Sequence, residues 1–211
     1  MKTIRQLFLA AIMMAASLAF ASGAWAQEAP DVLVKRITQD VMETARNDKA
    51  IKAGNRDRIL QVVEEKILPH VDLERTVAVA AGRHWRDASP EQRQRLTGEF
   101  RTMLIRTYAG ALSLVGDQEL VYKPMRTAPG ATEAEVRFEV RRLRGRDPVQ
   151  VSYRLHQSPS GWKVYDVNVL GVWLVETYRS SFSAEIAKGG IDGLIRTLAE
   201  KNRELAARAM G

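Results

Sequence analysis

EVRFEVR (residues 135–141), VQVSYRL (149–155) and WKVYDVNVL (162–170) are the stretches that decide the fold of this 211-residue chain. Apolar side chains occupy every second position in them, at Val136, Phe138, Val140, Val149, Val151, Tyr153, Leu155, Tyr165, Val167 and Val169. This period of two is typical of β-strands with one covered face and one face in water. The short connections predict antiparallel neighbours, and a short strand over residues 119–125 makes a sheet of four.

On both sides of the strands the apolar residues recur with the helical period of 3.6. This period predicts helices over residues 31–47, 55–67, 72–82, 89–115, 171–189 and 191–205. The clearest helix start is Ser89-Pro90-Glu91-Gln92, which has the pattern of a capping box. The clearest stop is Gly189-Gly190. Helices, then strands, then helices predict an α+β fold in which a helical layer covers one face of a curved sheet.

The first 26 residues have the order of a secretory signal peptide. Lys2 and Arg5 precede the apolar run Leu7–Phe20, and Ala24-Trp25-Ala26 places small residues where a signal peptidase reads them. The run is too short to span a bilayer comfortably, since about 20 apolar residues are needed. We therefore predict cleavage after Ala26, a soluble periplasmic product, and one domain over residues 27–211.

Composition excludes several kinds of chemistry. The chain has no cysteine, so disulfides, thiolate nucleophiles and cysteine metal sites are absent. Residues 27–211 carry 30 basic and 25 acidic side chains, a net charge of +5. In an exported protein this excess indicates anionic lipid head groups or an acidic protein partner, and no nucleic acid. A merely solvated basic surface, as for the hairpin residues Arg142, Arg144 and Arg146, is the plainer alternative.

No catalytic motif stands out in the chain. His70, His84 and His156 lie in different predicted elements without metal-ligand spacing, and no nucleophile elbow or phosphate-binding glycine loop is present. We predict no catalytic residues, no metal and no cofactor. The apolar stripe of the long helix is most simply core, although many large apolar residues on the helix and the sheet are also compatible with a cavity between them.

The order of several motifs resembles the MlaC, or toluene-tolerance, family of periplasmic phospholipid-binding proteins. The shared segments span roughly residues 30–203 and are HVDL (70–73), WR (85–86), SPEQR (89–93), EFR (99–101), LIRTYA (104–109), VSY (151–153), GWKVYDV (161–167), GVWLV (171–175), YRSSF (178–182) and GIDGLI (190–195). The chain departs from the family pattern at Trp173, where a small polar residue is usual, at Thr177, where Asn is often found, and at Ala81.

The resemblance implies a helical layer on a curved four-stranded sheet of nuclear-transport-factor-like shape, with acyl chains held between the layers. It implies a carrier that shuttles phospholipid between an outer-membrane lipoprotein–porin complex and an inner-membrane ABC complex with an MCE-domain protein, which maintains outer-membrane lipid asymmetry. On this basis we predict that ten residues line the cavity: Phe100, Met103, Tyr108, Leu112, Val136, Phe138, Val151, Tyr153, Val169 and Trp173.

Two other classes of protein remain open at this point. An enzyme on the same scaffold requires a carboxylate or histidine inside the cavity, whereas the predicted inward positions are apolar or aromatic. A protein-only scaffold or chaperone of an envelope complex requires a filled core and no bound lipid.

Overall fold

A computed structural model of the protein describes residues 28–125, 128, 130–141 and 147–208. The predicted signal peptide (1–26) and the cluster of Arg142, Arg144 and Arg146 lie outside the described residues.

The strands form one antiparallel sheet in the order β1-β2-β3-β4-β5. Their bounds are Glu119–Tyr122 (β1), Glu133–Arg141 (β2), Val149–Ser158 (β3), Gly161–Val169 (β4) and Val172–Trp173 (β5). The α+β fold and the four predicted strands are confirmed, but the strand count of four is wrong. A two-residue turn at Leu170-Gly171 sends the chain back against β4 as a fifth strand, where we expected helix.

A β-bulge corrects the predicted pattern of β4. The pairing of Tyr153 with Val167 shifts after Arg154, so that Leu155 faces Val164. The extra residue, Tyr165, leaves the apolar face of the strand. Its ring lies 4.8 Å from the guanidinium of Arg75 on the opposite face, and the prediction that it shares a face with Val167 is therefore wrong.

The described residues contain seven α-helices. Their bounds are Pro30–Asn47 (α1), Lys49–Lys52 (α2), Arg56–Val62 (α3), Leu73–Ala81 (α4), His84–Asp87 (α5), Pro90–Tyr108 (α6) and Leu174–Arg208 (α7). The predicted capping box of α6 is confirmed, because Gln92 N–H donates to Ser89 Oγ and Ser89 N–H donates to Gln92 Oε1. The predicted cap of α4 is also confirmed, since Asp72 Oδ1 accepts from Arg75 N–H at 2.9 Å.

Three irregular helical turns connect these helices. Val63–Ile67 is a π-helical turn, and Leu68–His70 is a 3₁₀ turn that follows it directly. Ala109–Leu114 is a second 3₁₀ segment at the end of α6. The prediction of one α-helix from residue 89 to about Val115 is therefore wrong beyond Tyr108, where φ changes to −114°. Gly110, a poor helix former, lies just after this change.

Helix α7 consists of two segments. Gly189 (φ −146°, ψ 19°) and Gly190 (φ 64°, ψ −168°) interrupt it, which confirms the predicted stop. A positive φ with this ψ is accessible essentially to glycine alone. The two segments therefore run in different directions while both bury apolar residues against α4 and α6.

The buried apolar residues form two main bodies. The helical core comprises side chains of α4, α6 and α7, among them Val77, Leu96, Phe100, Met103, Val175, Phe182, Ile186, Leu194 and Ile195. The sheet core comprises Leu33 and Val34 of α1 with Val136, Phe138, Val151, Leu155, Trp162 and Val164 of the sheet. Asp166 joins them: its buried carboxylate accepts from Val175 N–H at 3.0 Å, at the start of α7.

Candidate ligand-binding cavity

A cavity of about 710 Å³ lies between the sheet and the helical segments above it. This volume is within the range of roughly 300–1,000 Å³ typical of pockets that hold small organic ligands. Its wall on the sheet side consists of alternating residues of four strands: Leu120, Phe138, Val140, Val149, Val151, Tyr153, Val164, Val167 and Val169. The strands present these residues together because every second side chain of a strand points to the same face.

The opposite wall, the roof, is built from helical pieces. Val34, Ile37 and Val41 of α1 face the cavity at helical spacing, and their carbon side chains continue the apolar surface of the sheet. The irregular turns supply the remainder of the roof, with Ile67, His70, Val71, Ala111, Leu112, Leu114 and Val115. The roof is thus one regular helix followed by π and 3₁₀ turns.

Five of the ten residues predicted from the sequence lie on the cavity wall. They are Leu112, Phe138, Val151, Tyr153 and Val169. Val136 is on the same face of the sheet as Phe138 but is not among the lining residues, because it pairs with Tyr153 and is buried within the sheet core.

The other four predicted residues lie elsewhere, and their assignment to the lining is corrected. Phe100 and Met103 are buried in the helical core, because the chain turns at the end of α6 and only the residues after that turn reach the cavity. Tyr108, at the turn itself, is 52% exposed.

Trp173 lies on the side of the sheet away from the cavity. It pairs with Asn168 in β5, one residue out of phase with the lining residues Val167 and Val169. The guanidinium of Arg154 stacks 3.6 Å from the centre of its ring, and the same guanidinium is 3.4 Å from Asp166 Oδ2. The large side chain that replaces the small polar residue usual in the resembled family therefore does not occupy the cavity.

The roof residues of α1 and of the turn before α4 were absent from the predicted lining. Val34, Ile37 and Val41 were visible in the sequence as the apolar stripe of an amphipathic helix, but a stripe does not say whether it faces a core or a cavity. Ile67 ended the apolar stripe of the helix predicted over residues 55–67. For His70 and Val71 no periodic pattern was available, because a short 3₁₀ turn has no extended period.

Two ionisable residues of the cavity wall, His70 and Tyr153, have surroundings that favour their neutral forms. Burial lowers the pKa of His70, with the nearby charges of Arg36 and Lys163 acting in the same direction. Burial also raises the pKa of Tyr153 to about 12. At neutral pH both side chains are therefore uncharged. Such a wall suits hydrocarbon, and it offers no cationic group inside to hold an anion.

The cavity opens to solvent at one end of the sheet. Leu114 and Val169 line the cavity and are also exposed, by 71% and 45%. Leu170 and Val172 follow Val169 in the turn and are exposed as well. We call these four residues the rim. Leu170 has a positive φ of 54°, which is uncommon for a non-glycine residue, so the backbone at this rim residue has an unfavourable conformation.

Between residues 28 and 208, outside the undescribed gaps, no group of three or more His, Cys, Asp or Glu side chains is arranged to hold a metal ion. Over the same described ranges, no helix has the length and apolar character needed to cross a membrane.

Comparisons with known proteins agree with this geometry. The family model of the MlaC protein matches residues 35–200. A structure of a phospholipid-binding protein from Ralstonia solanacearum, in complex with a phospholipid, superposes with a TM-score of 0.78 at 44% identity, covering 83% of this chain and 98% of that one.

Two curated relatives are more distant. The intermembrane phospholipid transport system binding protein MlaC of Haemophilus influenzae is 23% identical over 172 residues, which are 81% of this chain and 80% of that protein. The toluene tolerance protein ttg2D of Pseudomonas putida is 25% identical over 169 residues, covering 79% of this chain and 77% of the relative.

Proposed function

Because the chain belongs to the MlaC family, we propose that it is a carrier that binds a phospholipid by its acyl chains and moves it between membranes. The observation that carries this proposal is the apolar cavity of about 710 Å³ with an open rim. The Ralstonia solanacearum protein at 44% identity, whose structure contains a phospholipid, supports the same ligand class.

The energetics of acyl chains explain why such a cavity is useful. Each methylene group removed from water contributes about 0.8 kcal/mol, so two chains with about thirty methylene groups amount to some 20 kcal/mol. A free phospholipid crosses water slowly against a barrier of that size. A cavity walled by valine, leucine, isoleucine and phenylalanine replaces the water around the chains and removes most of the barrier.

The two walls of the cavity differ in rigidity, since the sheet wall is regular and the roof contains irregular turns. The sheet wall is fixed by hydrogen bonding along four paired strands. The roof segment Ala109–Leu114 is a 3₁₀ turn with poorer hydrogen-bond geometry. We propose that chains enter and leave at the rim, and that the roof moves against the sheet when they do.

The finer parts of the proposal concern location and partners. The order of residues 1–26 supports export to the periplasm with cleavage after Ala26. The Haemophilus influenzae relative is named as the binding protein of an intermembrane phospholipid transport system. We propose that the carrier exchanges lipid with an outer-membrane lipoprotein–porin complex and an inner-membrane ABC complex with an MCE-domain protein, and so maintains outer-membrane asymmetry. Binding alone serves this role, and no catalytic step is required.

The direct test is native mass spectrometry of the mature protein purified without detergent, followed by lipid extraction. We expect phospholipid at about one molecule per chain. A lipid-free mass, together with no uptake from added liposomes, would contradict the proposal.

Charged substitutions in the wall locate the binding site. We expect Leu112→Glu in the roof and Val151→Asp in the sheet to abolish phospholipid co-purification, because each places a carboxylate among the lining residues. Far-UV circular dichroism checks that the fold is retained. Val32→Glu is the control, since Val32 is an exposed apolar residue of α1 outside the lining, and this variant is expected to retain its lipid.

A further inference from the structure

Near the open end of the cavity lie two charges of opposite sign, neither of which forms an ion pair with another residue that the structure describes. Among the lining residues in the described part of the chain, Asp147 is the only carboxylate. It is exposed, and no hydrogen bond or ion pair links it to another described residue. A carboxylate at the mouth of an apolar cavity repels anionic head groups and attracts cationic ones.

The opposite charge is Arg46, near the end of α1. Its Nε donates to the carbonyl oxygen of Gly116 at 2.6 Å, and its Nη2 donates to the carbonyl oxygen of Gln118. These two bonds fix the guanidinium beside Gln118, which itself lines the cavity. Among the described residues, no carboxylate forms an ion pair with Arg46 and no group accepts a hydrogen bond from its Nη1. A guanidinium held in this way is suited to a phosphate.

Sheet topology places Gln118, beside which Arg46 is held, and Asp147 at the same end of the sheet on different strands. Gln118 immediately precedes β1 and Asp147 lies just before β3, and both strands pair with β2 at its Arg141 end. Two strand spacings of about 4.8 Å separate β1 from β3, so Gln118 and Asp147 stand roughly 10 Å apart across the sheet. We expect the head group of a bound phospholipid to lie near these two residues when its acyl chains occupy the apolar cavity.

We propose that Arg46 and Asp147 form a head-group clamp that selects zwitterionic, amine-bearing phospholipids over anionic ones. The guanidinium of Arg46 contacts the phosphate, which every phospholipid carries. The carboxylate of Asp147 contacts the ammonium of the head group, which phosphatidylglycerol lacks. Arg46 thus supports the binding of any phospholipid, and Asp147 discriminates among them. This inference rests on the proposed function, since the clamp requires acyl chains in the cavity.

The neighbouring charges make a matched control available. Asp117 and Glu119 are exposed near the same end of the sheet but do not line the cavity. Arg141, also exposed, is already engaged by Glu139, with Nη2 to Oε2 at 2.6 Å. Asp117→Asn removes the same charge as Asp147→Asn without altering the lining. Comparison of the two variants therefore separates a local contact with the lipid from the effect of the net charge of the protein.

The experiment loads lipid-free protein from equimolar vesicles of palmitoyl-oleoyl phosphatidylethanolamine and palmitoyl-oleoyl phosphatidylglycerol, which have identical chains. Native mass spectrometry then gives the ratio of the two bound lipids. We expect the wild type to favour phosphatidylethanolamine and Asp147→Asn to lower this preference about two- to fivefold, the range of one exposed ion pair. Asp117→Asn should leave the ratio unchanged, and high salt should reduce the wild-type preference.

Arg46 needs a readout that separates head-group contact from support of the roof. Diacylglycerol with the same chains lacks the phosphate. We expect Arg46→Gln to lower phospholipid uptake more than diacylglycerol uptake, whereas a purely structural role would lower both equally and would overturn the assignment of Arg46.

Full loading with an unchanged lipid ratio in Asp147→Asn, or an equal shift in Asp117→Asn, would overturn the clamp while leaving the carrier intact. Absence of any lipid from the wild type would instead remove the proposed function itself.

Discussion

The helical core and the cavity are built from similar side chains, yet only the helical core is filled. In the core, the ring of Phe100 lies 4.8 Å from that of Tyr178 and 5.4 Å from that of Phe182, in edge-on contacts. The cavity region brings valines, leucines and aromatic residues to two facing walls and leaves about 710 Å³ between them. Apolar composition therefore does not determine whether a face becomes core.

The backbone explains the difference. Helix α6 and the two segments of α7 on either side of the glycine break are regular α-helix, so their side chains interdigitate closely. Over the cavity, the chain passes through a π turn and two 3₁₀ turns, and the side chains of the sheet do not pack closely against these irregular turns. These turns hold their backbone away from the sheet, so the apolar side chains of the two cavity walls do not meet.

The largest expected effect is in the helical core. Leu96 is fully buried there, and we expect Leu96→Ala to lower the free energy of unfolding by about 3–5 kcal/mol, because it creates a void in a packed region. Urea denaturation of the lipid-free protein measures this loss. A loss below 1 kcal/mol would mean that the helical core is loosely packed, and the comparison would fail.

The matched change in the cavity region should cost less. Leu112 is half-buried and already faces empty space on one side, so we expect Leu112→Ala to lower the free energy of unfolding by only about 1 kcal/mol. The enlarged cavity should also shift the bound lipids towards longer acyl chains, which mass spectrometry of extracted lipid detects. Equal losses for the two leucine variants would erase the distinction between the regions.

A third prediction concerns the polar face of the sheet, where ion pairs replace apolar packing. Glu139 is buried between Lys123 and Arg141, and hydrogen bonding to Lys123, then Gln150 and Arg141, lowers its pKa from 4.5 to about 2. The folded state thus favours the carboxylate, so this stabilisation is present above pH 4.5 and is lost as the pH falls towards 2.

We therefore expect Glu139→Gln to destabilise the protein at neutral pH and to converge with the wild type in acid. Urea denaturation of both proteins at a series of pH values measures the difference. A difference that does not change with pH would show that the carboxylate charge contributes nothing to the sheet.

The smallest effect is expected at the rim. Leu170→Gly relieves a left-handed conformation that costs roughly 1–2 kcal/mol in a non-glycine residue, against an entropic cost of about 0.5–1 kcal/mol for glycine. The net result should be a stabilisation below about 1 kcal/mol, visible as a slightly higher melting temperature. Leu170→Val, which is β-branched, should have the opposite sign. Destabilisation by glycine would mean that the leucine side chain supports the fold.

The sequence predicted the elements well where one rule sufficed. Alternation predicted β1 to β4, and capping chemistry predicted the starts of α4 and α6. The sequence-based prediction failed where the local structure depended on residues that are distant in the sequence. The bulge at Tyr165 arises from the register of two strands, and β5 from a two-residue turn at an unfavourable leucine. Neither feature is visible in the periodic pattern of apolar residues.

The cavity was predictable only in part for the same reason. The apolar stripe from Leu96 to Val115 continues without interruption across the end of α6, so the pattern cannot show that the chain changes direction there. Phe100 and Met103 were consequently predicted to line the cavity that Leu112 reaches. The sheet residues were predicted better, because a strand has only two faces and one of them is polar.

The scarcity of polar groups on the cavity wall has a consequence for the protein between two rounds of transport. At about 30 Å³ per water molecule, an unloaded cavity of this size has space for roughly two dozen waters, yet each buried water needs two to four polar partners. The polar lining residues Thr38, His70, Gln118, Asp147 and Tyr153 are too few to hold them. The unloaded protein therefore keeps a partly dry void, and unfolding eliminates that volume. Hydrostatic pressure should unfold the empty protein more readily than the loaded one, so pressure reports whether a molecule is carrying its cargo.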